Sequence, residues 1–171
     1  MEKVAVYPGS FDPITNGHLE IIRRGLKFFD RMIVLVAYNP NKNGLFSVEE
    51  RMALLKKILD NEPRITVDCS TELLVEYVKR SKADFILRGL RAVSDFEYEF
   101  QMALINRRLN REVETMFLMT GFKWFYTSSR IIKEAASHGG SVKGLVPDIV
   151  LKKLEEKYGM SLNGTGGEES Q

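Results

Sequence analysis

The chain has 171 residues, 44% hydrophobic and 28% charged, which suits one domain with a single well-buried core and excludes a fibrous or disordered chain. Lys+Arg is 25 against Asp+Glu 23, a formal net charge of +2 that leaves no electrostatic footprint for long nucleic acid. One cysteine, Cys69, excludes an internal disulfide, and the apolar run after Met1 is broken at Pro8 and Gly9, too early for a signal peptide or membrane span, so a cytoplasmic protein is expected.

In chain order, short apolar runs alternate with longer amphipathic stretches. Strands are expected at Lys3–Tyr7, Met32–Ala37, Arg64–Asp68, Asp84–Leu87 and Glu114–Met119. The unbroken apolar character of Met32–Ala37 predicts burial on both faces. Helices are expected at His18–Phe29, Val48–Leu59, Glu72–Ser81, Phe96–Leu109, Ser128–Ser137 and Pro147–Tyr158. Ser47 and Glu50 have the spacing of a capping box before the second helix. Five strand–helix alternations imply an α/β fold, a doubly wound five-stranded parallel sheet with helices on both faces in a single domain. The Gly- and Ser-rich segment 159–171 is expected to be a disordered tail.

Ligands of such sheets bind at the carboxyl ends of the strands, near the topological switch point. The first loop, expected to turn at Pro8 and Gly9, carries Ser10, Asp12 and Thr15 before Gly17 and His18. Hydroxyls, glycines and a histidine at a helix start suit a phosphate: the backbone N–H groups and helix dipole favour an anion. His18 there is expected to donate a hydrogen bond to a phosphoryl oxygen whose charge grows during transfer. Neither G-x-x-x-x-G-K-[ST] nor G-x-G-x-x-G is present.

Lys42, after the second strand, reads as a solvated loop lysine or as a phosphate clamp. After the fourth strand, Arg88 and Arg91 flank Gly89, and guanidinium forks match phosphate oxygens. The competing reading pairs them with Asp95 and Glu99, which share a helix face at i and i+4. Ser128 and Ser129 sit where they can cap a helix and bind phosphate. Leu74 reads as a core helix residue, Cys69 as a small buried one, and His138 as a helix C-terminal or surface histidine. With two histidines and one cysteine, no zinc spacing is present and no metal centre is expected.

The run YPGSFDPITNGH resembles the signature of the HxGH nucleotidyltransferase superfamily, with Thr15 in place of its first histidine. Together with RGLRAVSDFEYE at 88–99, it is similar to the phosphopantetheine adenylyltransferases over Lys3 to about Tyr158, and to the Rossmann-like fold of that family. The resemblance implies transfer of the adenylyl group of ATP to the phosphate of phosphopantetheine, with Mg2+ bound through the ATP phosphates. It implies roles for Ser10, His18, Lys42 and Arg91 in transfer. ATP would be lined by Ser10, Phe11, His18, Gly89, Leu90, Arg91, Glu99 and Trp124, Phe125, Tyr126, Thr127, Ser128, Ser129, Arg130. The acceptor would meet Ser10, Lys42, Leu74 and Arg88. Thr127 and Arg130 depart from the family's ISSS-like turn, and Arg130 either meets the β- and γ-phosphates or points to solvent. A homohexamer is implied as well. Two alternatives stay open: a nicotinamide mononucleotide or glycerol phosphate acceptor, and a non-catalytic nucleotide-binding regulator.

Overall fold

The computed structural model describes residues 2–41, 43–125 and 127–162, apart from the side chain of Ser94. It contains β1 (Val4–Gly9), α1 (Asn16–Gly25), β2 (Arg31–Ala37), α2 (Val48–Leu59), β3 (Ile65–Ser70), α3 (Leu74–Ser81), β4 (Phe85–Leu90), α4 (Val93–Leu109), β5 (Glu114–Met119), a short 3-10 turn at Phe122–Trp124, α5 (Ser129–Ser137) and α6 (Asp148–Tyr158). All strands pair in parallel, in the order β3-β2-β1-β4-β5. Winding reverses between β1 and β4, so the switch-point crevice lies over the ends of those two strands.

Alternation along the strands supplies two cores. Ala5, Tyr7, Val34, Val36 and Leu87 face α1, α2, α5 and α6, which contribute Ile21, Ile22, Leu55, Ile132 and Leu154. Val6, Ile33, Leu35 and Ile86 face the other way, onto Tyr77 and Val78 of α3. The sheet is therefore covered on both sides, as the strand–helix alternation required, and the doubly wound reading holds.

Two strands run further than their apolar runs suggest. β1 does not turn at Pro8: it continues to Gly9, with Pro8 opposite Leu35 and Gly9 opposite Val36 of β2. Proline is tolerated because the β1–β4 ladder has already ended at Val6–Ile86, so its missing N–H costs no bond on that side. β4 passes through Arg88 and ends at Leu90, with Arg88 in register with Phe117. Arg88 is thus a strand residue, not the residue after a strand.

The Ser47–Glu50 box forms as expected: Glu50 N–H donates to Ser47 Oγ at 3.2 Å and Ser47 N–H to Glu50 Oε2 at 2.8 Å. α4 starts earlier than its periodicity, at Val93, and leaves Val93, Tyr98, Leu104 and Leu109 more than half exposed. Past α6, Gly159 ends the helix in the left-handed conformation, and Leu162 packs into the main core with its N–H on Glu155 Oε1 at 2.9 Å. Residues 159–162 of the expected tail therefore belong to the fold, while 163–171 lie outside the described residues. No described helix is long and apolar enough to cross a membrane.

Candidate active site

A cavity of about 370 Å³ opens over the ends of β1 and β4. The β1–α1 loop and the start of α1 form one wall, with Ser10, Thr15, Gly17 and His18. β4 and its sequel form the second, with Arg88, Gly89, Arg91 and Glu99. The turn into α5 closes the third, with Thr127, Ser128, Ser129 and Arg130. Three stretches far apart in sequence thus meet at the switch point, and most of the expected phosphate-binding residues meet with them.

His18 is fixed by its own helix. Thr15 is the N-cap of α1, and its Oγ1 accepts the His18 N–H at 3.3 Å. In return the backbone N–H of Thr15 donates to His18 Nδ1 at 3.0 Å, with Thr15 Oγ1 at the same distance. This is a capping box in which histidine fills the place usual for Glu or Gln. An Nδ1 that accepts from a backbone N–H carries no proton, so the neutral ring holds its proton on Nε2. Burial, followed by the Arg91 and Arg88 charges, pushes the His18 pKa down to about 4. At neutral pH His18 is therefore an uncharged Nε2–H donor. The Phe11 ring meets it edge-on at a centroid distance of 5.2 Å.

The second wall holds two arginines, each against a carboxylate of α4. Arg88 Nε donates to Glu99 Oε2 at 2.6 Å, its Nη2 to Glu99 Oε1, and its Nη1 to Pro8 O at 2.9 Å. Arg91 donates to Asp95 through Nε at 3.1 Å, Nη2 at 3.2 Å and its backbone N–H at 3.2 Å. The ion-pair reading of the run holds, and the same two arginines also line the cavity. Gly89 leaves no spare room, since a Cβ there would sit 3.1 Å from Ile21 Cγ1.

In the third wall Ser128 Oγ accepts the Ile131 N–H at 3.1 Å and caps α5, while Ser129 Oγ donates to Pro13 O at 2.7 Å. Arg130 is exposed at the rim. A smaller cavity of about 100 Å³ shares Arg88 and Glu99 with the first and is lined by Leu74, Tyr98, Met102 and Asn106.

Some expected residues fall elsewhere. The Phe11 side chain is buried in the core beneath the loop, at a positive φ of 44°, and does not line the cavity. Leu90 uses its carbonyl to accept Thr120 N–H at 2.8 Å and does not line the cavity either. Trp124 packs beside Gly17, and neither it nor Phe125 lines the cavity. Lys42 and Tyr126 lie outside the described residues. His138 is the C-cap residue of α5, and Cys69 is half-buried in β3. Tyr7, the first residue of the expected phosphate-handling segment, lines the cavity, and so do Ile21 and Thr120, which in the sequence look like an ordinary helix and loop position.

A family model described as cytidylyltransferase-like matches residues 6–135. A phosphopantetheine adenylyltransferase of Syntrophus aciditrophicus is 60% identical over 164 residues, spanning 96% of this chain and 99% of the relative. Another, from Desulfosudis oleivorans, is 58% identical and spans 94% of this chain and 96% of the relative. The chain belongs to the phosphopantetheine adenylyltransferase family. A solved Vibrio parahaemolyticus structure named for nicotinate-nucleotide adenylyltransferase has a TM-score of 0.68 at 17% identity, covering 96% of this chain and 98% of that one. That likeness is one of fold alone: it shows the Rossmann-like architecture and says nothing of the reaction or the acceptor.

Proposed function

We propose that the cavity transfers the adenylyl group of ATP to the phosphate of phosphopantetheine, giving dephospho-coenzyme A and pyrophosphate, a step of coenzyme A synthesis. Family membership names the reaction. The observation that carries the mechanism is the neutral, capped His18 in a wall facing three arginines. An acceptor phosphate oxygen attacks the α-phosphorus in line. A new P–O bond forms, the bond to the bridging oxygen breaks, and its electron pair leaves with pyrophosphate. The acceptor phosphate is already an anion at neutral pH, so no base is needed. The protein's work is alignment and charge stabilisation.

In this reading His18 Nε2–H donates to the α-phosphoryl oxygen as its charge rises. Ser10 and Lys42 position the acceptor phosphate. Arg91 and the turn 127–130 hold the β- and γ-phosphates, with Arg130 closing from the rim. Gly89, Leu90 and Glu99 belong to the ATP side, as do Phe11, Trp124 and Phe125 through the segments that carry them, and Tyr126 through the family resemblance alone. Arg88 meets the acceptor, and the smaller cavity at Leu74 takes its pantetheine arm. Mg2+ arrives with the ATP phosphates as part of the substrate. Glu99 and Asp95 are engaged by arginines, which favours holding the cation through phosphate oxygens and water.

We also read the enzyme as a cytoplasmic homohexamer. The exposed apolar side chains of α4 support self-association, because a lone helix does not leave Val93 88% and Tyr98 63% exposed without cost.

Pyrophosphate release with ATP, Mg2+ and each acceptor in turn tests the proposal. Turnover is expected with phosphopantetheine. Comparable kcat/KM with nicotinamide mononucleotide or glycerol phosphate, or ATP binding with no release, would contradict it.

A further inference from the structure

The Asp12 carboxylate is a buried junction between the first loop, the segment leading into α2, and α5. It is only 5% exposed, yet it lies in the loop next to Ser10. Its Oδ2 accepts the Leu45 N–H at 3.1 Å and its Oδ1 the Phe46 N–H at 2.9 Å. Lys133 Nζ reaches Oδ2 at 2.6 Å from α5, one turn beyond Ser129. Arg51 Nε of α2 lies 3.5 Å from Oδ1. Arg51 is itself buried, and it also donates to Phe46 O at 2.8 Å and to Ser10 O at 3.3 Å.

The packing leaves this junction little slack. A Cβ on Gly44 would meet Arg51 Nη2 at 1.8 Å and Asp12 Oδ2 at 3.0 Å, so the loop before Leu45 can approach only as glycine. Burial raises the cost of ionising Asp12. The Lys133 ammonium, the two backbone N–H groups and Arg51 outweigh it, and the carboxyl is held below its ordinary pKa. None of these side chains is assigned to a phosphate in the mechanism above.

We propose that Asp12 is a positioning residue for the transfer: through its carboxylate it fixes the first loop at Ser10, the loop that enters α2 at Leu45 and Phe46, and α5 behind the Ser128–Arg130 turn relative to one another. The inference rests on the adenylyl-transfer reading and adds what sets the distance between acceptor-side and pyrophosphate-side groups.

In-line transfer is sensitive to such placement, because a displacement of about 1 Å is enough to cost about 100-fold. The test uses two variants of the full chain, Asp12→Asn and Lys133→Met. The second removes the α5 tie without leaving a lysine charge buried and unpaired. For each, calorimetric titration with ATP counts folded, nucleotide-binding sites, thermal melting reports stability, and pyrophosphate release with phosphopantetheine gives kcat per site. The role predicts kcat per binding site lowered about 100-fold in Asp12→Asn and about tenfold in Lys133→Met, with KM for ATP changed much less. Wild-type kcat per site in Lys133→Met, whatever its melting temperature, overturns the positioning role and leaves a structural tie. Should Asp12→Asn fail to fold, Lys133→Met alone carries the decision. Wild-type enzyme that releases no pyrophosphate from this substrate pair overturns the transfer reading itself, and the positioning role with it.

Discussion

On the β1 side of the cavity His18 is held within its own helix start, and the loop before it is tied through Asp12 to residues distant in sequence, 33 and 34 residues to Leu45 and Phe46, and 121 to Lys133. On the β4 side the charged groups are held by the next element, with Arg88 on Glu99 and Arg91 on Asp95. The first arrangement fixes where loops stand relative to one another. The second fixes how two guanidinium groups point, and it offsets part of their charge before any phosphate arrives. Damage on the β1 side should therefore appear in kcat, and damage on the β4 side in substrate binding.

The largest effect is expected at His18. His18→Ala removes one donor made chiefly in the transition state, so kcat should fall by about 100- to 1,000-fold with KM for both substrates little changed. A rise in KM alone, with kcat kept, would place His18 among the binding groups and erase the contrast between the walls.

A smaller effect, of the opposite kind, is expected at Arg88. Arg88→Ala deletes charged hydrogen bonds and leaves the buried Glu99 carboxylate unpaired. Phosphopantetheine binding should weaken by about 10- to 100-fold, and ATP binding by less, in calorimetric titrations. Equal loss for both ligands would contradict the assignment of Arg88 to the acceptor.

Much of this site was legible because its determinants are local. The Ser47–Glu50 box, the five strand–helix alternations and the cluster of hydroxyls, glycines and histidine after β1 are all patterns within about ten residues. The Thr15–His18 box has the same spacing but uses histidine at its third position, so only the structure reveals the tautomer it enforces. The continuation of β1 through Pro8 depended on where β4 stops pairing, which is a tertiary fact. The Asp12–Lys133 contact joins opposite ends of the domain, and nothing in either local sequence announces it. The readings of Lys42 and Tyr126 concern positions outside the described residues.

The central claim is that the cavity works with pre-set donors and no base, and its keystone is a neutral His18 protonated on Nε2. Between the ordinary histidine value of 6.5 and the folded value of about 4, the unfolded chain binds more protons than the folded one. His18 therefore contributes stability that is present above the upper value and is lost as pH falls through that window.

The most direct test is nitrogen-15 NMR of the two labelled histidines across about pH 4 to 8. His138 supplies an internal contrast, because its Nδ1 lies 2.9 Å from the Glu134 carbonyl and must donate. The account predicts the Nε2–H tautomer for His18 with no titration down to about pH 5, beside the Nδ1–H tautomer for His138. A proton on His18 Nδ1, or a midpoint near the ordinary histidine value, would contradict it.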